Sequence, residues 1–154
     1  MKENLHRSIT RIVAVQALYS LVSFDSNKNE ISDYFLKDKS FRLQLDFDLN
    51  LEKKNIDKSF FLKILDTHEK KKEYIDKLIT DNLDKKWNIK RIPAVLHSIL
   101  IVAISEMIVF PKISLGIVAS EYIIITESFF SKKESAFVNA ILEKIYLIIN
   151  IQEQ

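Results

Sequence analysis

"IPAVLHSILIVAISEMIVF", Ile92–Phe110, decides how the rest of the chain is read. Its apolar residues cover every face of a helical projection, and Glu106 is its one carboxylate. The run is long enough to suggest a membrane span, but a charge at the centre of one costs about 2.5 to 3.5 kcal/mol if Glu is priced like other charged residues. The stretch therefore reads as a helix enclosed by other helices. Pro93 suits its first turn, where no amide hydrogen bond is lost, and Pro111 stops it.

A helix buried on all sides needs partners, and the flanking sequence supplies them. On the C-terminal side, Ser114 can cap a fifth helix through about Phe130, and "SKKES" separates it from a sixth, about Ser135 to Ile149. On the N-terminal side, Phe61, Ile64, Leu65 and His68, then Ile75, Leu78 and Ile79, mark a helical face between Asp57 and about Trp87. "HEKKKEY" interrupts that stripe, so the segment is either one helix with an exposed middle or two helices meeting near Lys71. Glu73 and Lys77, and Asp81 and Lys85, are acid-before-base pairs at helical spacing. A first helix runs from about Leu5 to Val22, and "DSNKNE" breaks it. "EISDYFLKDKSF" makes a short second helix. "RLQLDFDLNLEKKN" alternates like a strand but has no partner strand, so it reads as a connecting loop or irregular helix.

One glycine and two prolines in 154 residues leave little material for tight turns, which argues again for helices. Hydrophobic residues make up 47% and charged residues 29%, a balance suited to a soluble globular chain of one domain. The absence of cysteine fits a reducing, cytoplasmic setting, and the N-terminus lacks the apolar core of a secretory signal. The net charge of +2 is too small to imply a nucleic-acid partner, so such a partner must be argued from local clusters.

Catalytic chemistry finds no foothold. A phosphate-cradling loop needs several glycines, a nucleophile elbow needs flanking ones, and His6, His68 and His97 show no metal-binding spacing. No catalytic residue, cofactor or metal is expected. Binding signals are better. Arg7 and Arg11, one helical turn apart, make a basic helix start that can meet phosphates. Phe129 and Phe130 precede Lys132 and Lys133, and Phe137 follows; rings beside cations suit unpaired bases and their backbone, although phenylalanine at helical spacing is more often core.

Taken in order, these stretches resemble the NusB family of transcription antitermination factors. "RSITRIVAVQALYS" looks like the family's opening, "IDKLITDNLDKKWNIKRIPAVLHSILIVAISEM" like its central block, and "VASEYIIITESFF" and "SAFVNAILEKI" like its closing helices. The resemblance is weakest between about Asp25 and Asn55. It implies an all-α NusB-like bundle of six to seven helices in two small antiparallel subdomains, about 1–90 and about 91–150, within a single RNA-binding domain over 1–154. It further implies that the chain pairs with NusE, a small-subunit ribosomal protein, binds boxA-type single-stranded RNA, and joins the RNA polymerase elongation complex with other Nus factors; a homodimer is left open. Carried onto this sequence, the RNA contacts are Arg7, Arg11, Tyr19, Phe129, Phe137 and Asn139, to which the cations beside the rings add Lys132 and Lys133, and the partner contacts are Tyr19, Glu106 and Glu121. Gln16 is left to satisfy a buried backbone group. Departures are Ser8, Ile9 and Thr10 between the two arginines, Ile101 where arginine is frequent, Lys132 and Lys133 where acids are common, and Ala140 where glycine is usual.

Two other readings stand beside this one. The first is the NusB-like RNA-binding module of ribosomal RNA cytosine methyltransferases, which requires a following glycine-rich cofactor domain that is not in these residues. The second is a helical adaptor that binds only proteins. Salt separates them, because phosphate contacts weaken steeply with added salt while an apolar interface changes little.

Overall fold

The computed structural model describes residues 2–24, 27–37, 56–84 and 86–152, and among them there are six helices and no strand. They are α1 (Lys2–Phe24), α2 (Lys28–Lys37), α3 (Lys58–Asn82), α4 (Ala94–Val109), α5 (Leu115–Phe129) and α6 (Lys132–Gln152). Leu96 and every residue from Ser98 to Met107 are buried in α4, which packs against α1, α3, α5 and α6. That is why its sequence shows no polar face. Each fully enclosed Leu or Ile there stabilises by about 1.5–3 kcal/mol, and Leu100→Ala would cost about 2–5 kcal/mol once the cavity is counted.

Contacts along the helices fix their directions. Arg7 lies over Phe110 and Arg11 reaches Glu106, so α1 runs antiparallel to α4. Phe60 stacks on Phe110 and Asp76 meets His97, so α3 is also antiparallel to α4. Tyr122 bonds Glu106, which makes α4 and α5 a hairpin. Trp87, just before α4, stacks on Phe137, while the Tyr146 hydroxyl donates to the Ile113 carbonyl at 2.8 Å. Thus α6 returns parallel to α4.

Local chemistry sets the helix ends. The Asp57 carboxylate accepts from the Phe60 amide at 3.0 Å and Ser114 from the Ile117 amide at 3.2 Å, satisfying donors left open in each first turn. Pro93 is the residue just before α4, with φ −53 and ψ 141, so the helix starts at Ala94, two residues later than the Ile92 the sequence suggests. Within α3, Lys71 has φ −115 and ψ 19, a break in an otherwise continuous helix. It falls in the middle of "HEKKKEY", where the buried stripe pauses between His68 and Ile75. The helix ends at Asn82 rather than near Trp87, because Leu83 turns to extended backbone.

α6 begins earlier than expected. "SKKES" is not a separator: the Glu134 carboxylate accepts from both the backbone amide (3.1 Å) and the hydroxyl of Ser131, a Ser-x-x-Glu cap that starts the helix at Lys132. The turn at Asp25 and Ser26 and the expected loop "RLQLDFDLNLEKKN" lie outside the described residues. No helix among the described residues is long and apolar enough to cross a membrane.

Candidate nucleic-acid interface

The basic start of α1 divides into one inward and one outward arginine. Arg11 is 4% exposed. Its Nε donates to Glu106 Oε1 at 2.8 Å and its Nη2 to Oε2 at 2.7 Å, while Nη1 lies 3.3 Å from Glu121 Oε1. Tyr122 donates to Glu106 Oε1 at 2.6 Å, and Ser8 donates to Glu121 Oε1 at 2.8 Å. One guanidinium thus ties α1 to α4 and α5. Burial opposes a charge on Arg11, but the hydrogen bonds and charge of Glu106 outweigh it and raise its pKa. Burial pushes the Tyr122 phenol well up, and the adjacent Glu106 charge adds to this, so the hydroxyl stays a donor.

Two sequence expectations change here. The sequence makes Arg11 a phosphate contact, yet its charge is consumed inside the bundle, because two carboxylates carried in by α4 and α5 require a buried cation. The family resemblance makes Glu106 a partner contact, yet it is 0% exposed and both its oxygens are bonded internally. Glu121 remains partly open beside Ser8 and Arg11.

Arg7 is the outward residue, with 44% of its side chain exposed. Its guanidinium lies 5.2 Å from the Phe110 ring centre and 5.4 Å from that of Phe60, and 4.0 Å from Asp57. Those two rings are stacked on each other, 5.4 Å apart and 8° from parallel. A planar cation held against rings is pre-aimed for phosphate or for stacking on a base.

The second cluster forms at the start of α6. Phe137 is half-buried, with its ring 4.4 Å from that of Trp87 and 27° from parallel. The Lys133 ammonium lies 5.9 Å from the Trp87 ring centre. Lys132 and Asn139 are exposed, as is Phe129 at 47%. Trp87 is a site residue that the sequence pattern does not mark. Its partner ring lies fifty positions away in the chain, a pairing no local pattern announces.

Arg7 and the Trp87–Phe137 pair sit at opposite ends of α4, whose 16 residues span about 24 Å. Tyr19 lies three turns further along α1 than Arg7, toward the N-terminal end of α4, half-buried and edge-on to Phe24 at 5.9 Å. Gln16 is half-buried beside it in sequence. Of the departures, Ser8 acquires a definite place as donor to Glu121, and Ile101 is buried, where an arginine would need a counter-charge. Among the described residues no three His, Asp or Glu side chains converge to hold a metal.

Comparison with known proteins matches this arrangement to one family. The NusB family pattern fits residues 8–147. The chain belongs to the NusB family. A transcription antitermination protein NusB of Bartonella henselae is 30% identical over 139 residues, covering 90% of this chain and 85% of that protein. One of Bradyrhizobium diazoefficiens is 30% identical over 146 residues, covering 94% and 85%. Among solved structures, NusB of T. maritima superposes with a TM-score of 0.71 at 24% identity, covering 92% of this chain and 90% of that one. A NusB solved with NusE and double-stranded RNA gives 0.73 at 22% identity, covering 93% and 97%. Both superpositions show that this chain's six described helices take the fold of those NusB structures.

Proposed function

We propose that this chain is a transcription antitermination factor that binds boxA-type single-stranded RNA together with NusE and so joins an RNA polymerase elongation complex in the cytoplasm, as one RNA-binding domain of two helical subdomains. The observation that carries the reading is the Trp87–Phe137 stack with Lys133 beside it. Unpaired bases extend a stack of rings, and a neighbouring ammonium holds their phosphates. Arg7 adds a second cation, and Lys132, Phe129, Asn139 and Tyr19 remain candidate contacts. Support comes also from the curated relatives, which are antitermination proteins, and from a structural neighbour solved with NusE and RNA. The role is binding rather than catalysis. Glu121 and Tyr19 are the proposed NusE contacts; Glu106 acts only through the core.

Fluorescence anisotropy of a labelled boxA-type RNA, with and without NusE and at two salt concentrations, tests this directly. Salt-sensitive binding that strengthens with NusE is expected. No RNA binding even with NusE present sinks the RNA reading and leaves a helical protein-binding adaptor.

A further inference from the structure

At the C-terminal end of α4 a groove of about 450 Å³ opens between α1, the turn after α4 and the start of α5. Its volume lies within the range of about 300 to 1,000 Å³ common for small-ligand sites. Phe110, Ile113 and Ile117 are its apolar lining, and Ile117 is 48% exposed although it is a large aliphatic residue. Arg7 and Lys112 are the lining cations without a buried counter-charge, and next to the lining the Lys63 ammonium lies 5.7 Å from the Phe110 ring centre. The acid on the wall, Glu121, is already engaged by Arg11 and Ser8, and the charge of Arg11 is taken up by Glu106. What faces outward is therefore three cations, with Asp57 at 4.0 Å from Arg7 as the nearby counter-charge. An apolar floor beside concentrated positive charge suits a group that is itself half flat and apolar, half anionic.

Resting on the RNA reading above, we propose that this groove seats one nucleotide of the bound single strand, its phosphate on Arg7, Lys63 and Lys112 and its base against Ile113 and Ile117. The guanidinium plane of Arg7, already backed by Phe60 and Phe110, offers the base a stacking surface. None of Lys63, Lys112, Ile113 and Ile117 belongs to the Trp87–Phe137 cluster, and the two places lie about 24 Å apart along α4. A strand touching both must cross the bundle.

The test is binding of a labelled boxA-type RNA in the presence of NusE by the unsubstituted chain and by Lys63→Ala, Lys112→Ala and Ile117→Ser, all at exposed positions. It is joined to photocross-linking with 4-thiouridine in the same RNA and mapping of the linked peptide. Each lysine variant should lower the slope of log affinity against log salt by about 0.7, the value for one single-strand phosphate. Ile117→Ser should weaken binding about 3- to 10-fold, the apolar contact a base gains by covering the exposed half of one Ile side chain, with the slope unchanged. The cross-link should fall between Phe110 and Glu121. Salt-sensitive RNA binding that all three variants leave intact, with cross-links confined to α6, overturns the groove and spares the RNA reading. Loss of NusE affinity in Ile117→Ser with RNA affinity retained assigns the groove to a protein and overturns the proposal. Absence of RNA binding by the unsubstituted chain overturns both.

Discussion

Arg11 and Glu106, ninety-five positions apart in the chain, meet through two parallel hydrogen bonds of 2.8 and 2.7 Å inside the bundle. Such a two-pronged contact fixes both the distance and the rotation of α1 against α4. Removing one partner leaves the other charged and dry, a loss of about 3–5 kcal/mol. Arg11→Ala should therefore lower the unfolding free energy by that amount in urea denaturation at neutral pH. A loss below about 1 kcal/mol, the value of a surface pair, would show that water reaches the site.

Tyr122 bonds the same carboxylate, and its phenol stays protonated because burial and the Glu106 charge raise its pKa. Tyr122→Phe keeps the ring and removes the donor. A hydrogen bond to a charged group contributes about 1.5–3 kcal/mol, and the variant should be less stable by that much. Its RNA affinity, measured where the protein is fully folded, should be unchanged, since the hydroxyl reaches no surface. A weakened affinity in folded protein would mean that the buried network shapes the RNA surface as well.

His68 supplies a pH dependence. Burial holds its imidazole below the ordinary value of 6.5, against the opposing charge of Asp76 and with Lys72 and His97 adding to the depression. Between 6.5 and the lower native value the unfolded chain takes up a proton that the folded chain refuses, so stability falls as pH drops through that window. Asp76 acts lower down: the hydrogen bond with His97 depresses its pKa from 3.8, so its contribution is present above that value and lost as pH falls through the native one. His68→Gln, which cannot titrate, should flatten the fall in the urea midpoint between about pH 7.5 and about pH 5.5 and leave the more acidic limb in place. An unchanged fall would place the titration elsewhere.

How much of this was legible in the sequence depends on the range of the interaction. The burial of α4 and the cap at Ser114 follow from neighbouring residues, and the pattern shows them; "HEKKKEY" leaves the break at Lys71 as one of two readings, and Asp57 marks the start of α3 in the sequence while its role as the cap appears only in the structure. The Ser131–Glu134 cap was equally local, yet "SKKES" resembles a polar linker until the Ser-x-x-Glu spacing is noticed. Arg11 is different. An arginine one turn from another on a helix start has the same local sequence whether it faces water or a buried acid, and only the approach of Glu106 and Glu121 from other helices decides. Trp87 was hidden for the same reason, its stack with Phe137 being made by the return of α6.

The two ends of α4 predict two kinds of RNA defect. Arg7, held over Phe110 and free on one side, meets phosphate as a charge. Arg7→Ala should weaken boxA-type and unrelated RNA alike and lower the salt slope by about 0.7. Phe137 and Trp87 present rings, which every base can stack on but whose spacing must match the strand that lies on them. Removing a stacking ring costs about 1–3 kcal/mol, so Trp87→Ala should weaken boxA-type RNA by about 5- to 150-fold and leave the salt slope in place. Phe137→Ala should do the same and discriminate less between boxA-type and unrelated RNA. Circular dichroism must first show each variant folded, because both rings also cover the core at the junction of α4 and α6. A folded Phe137→Ala that keeps full affinity makes the Trp87 stack a packing contact alone, and Arg7 then carries the interface from the other end of the bundle.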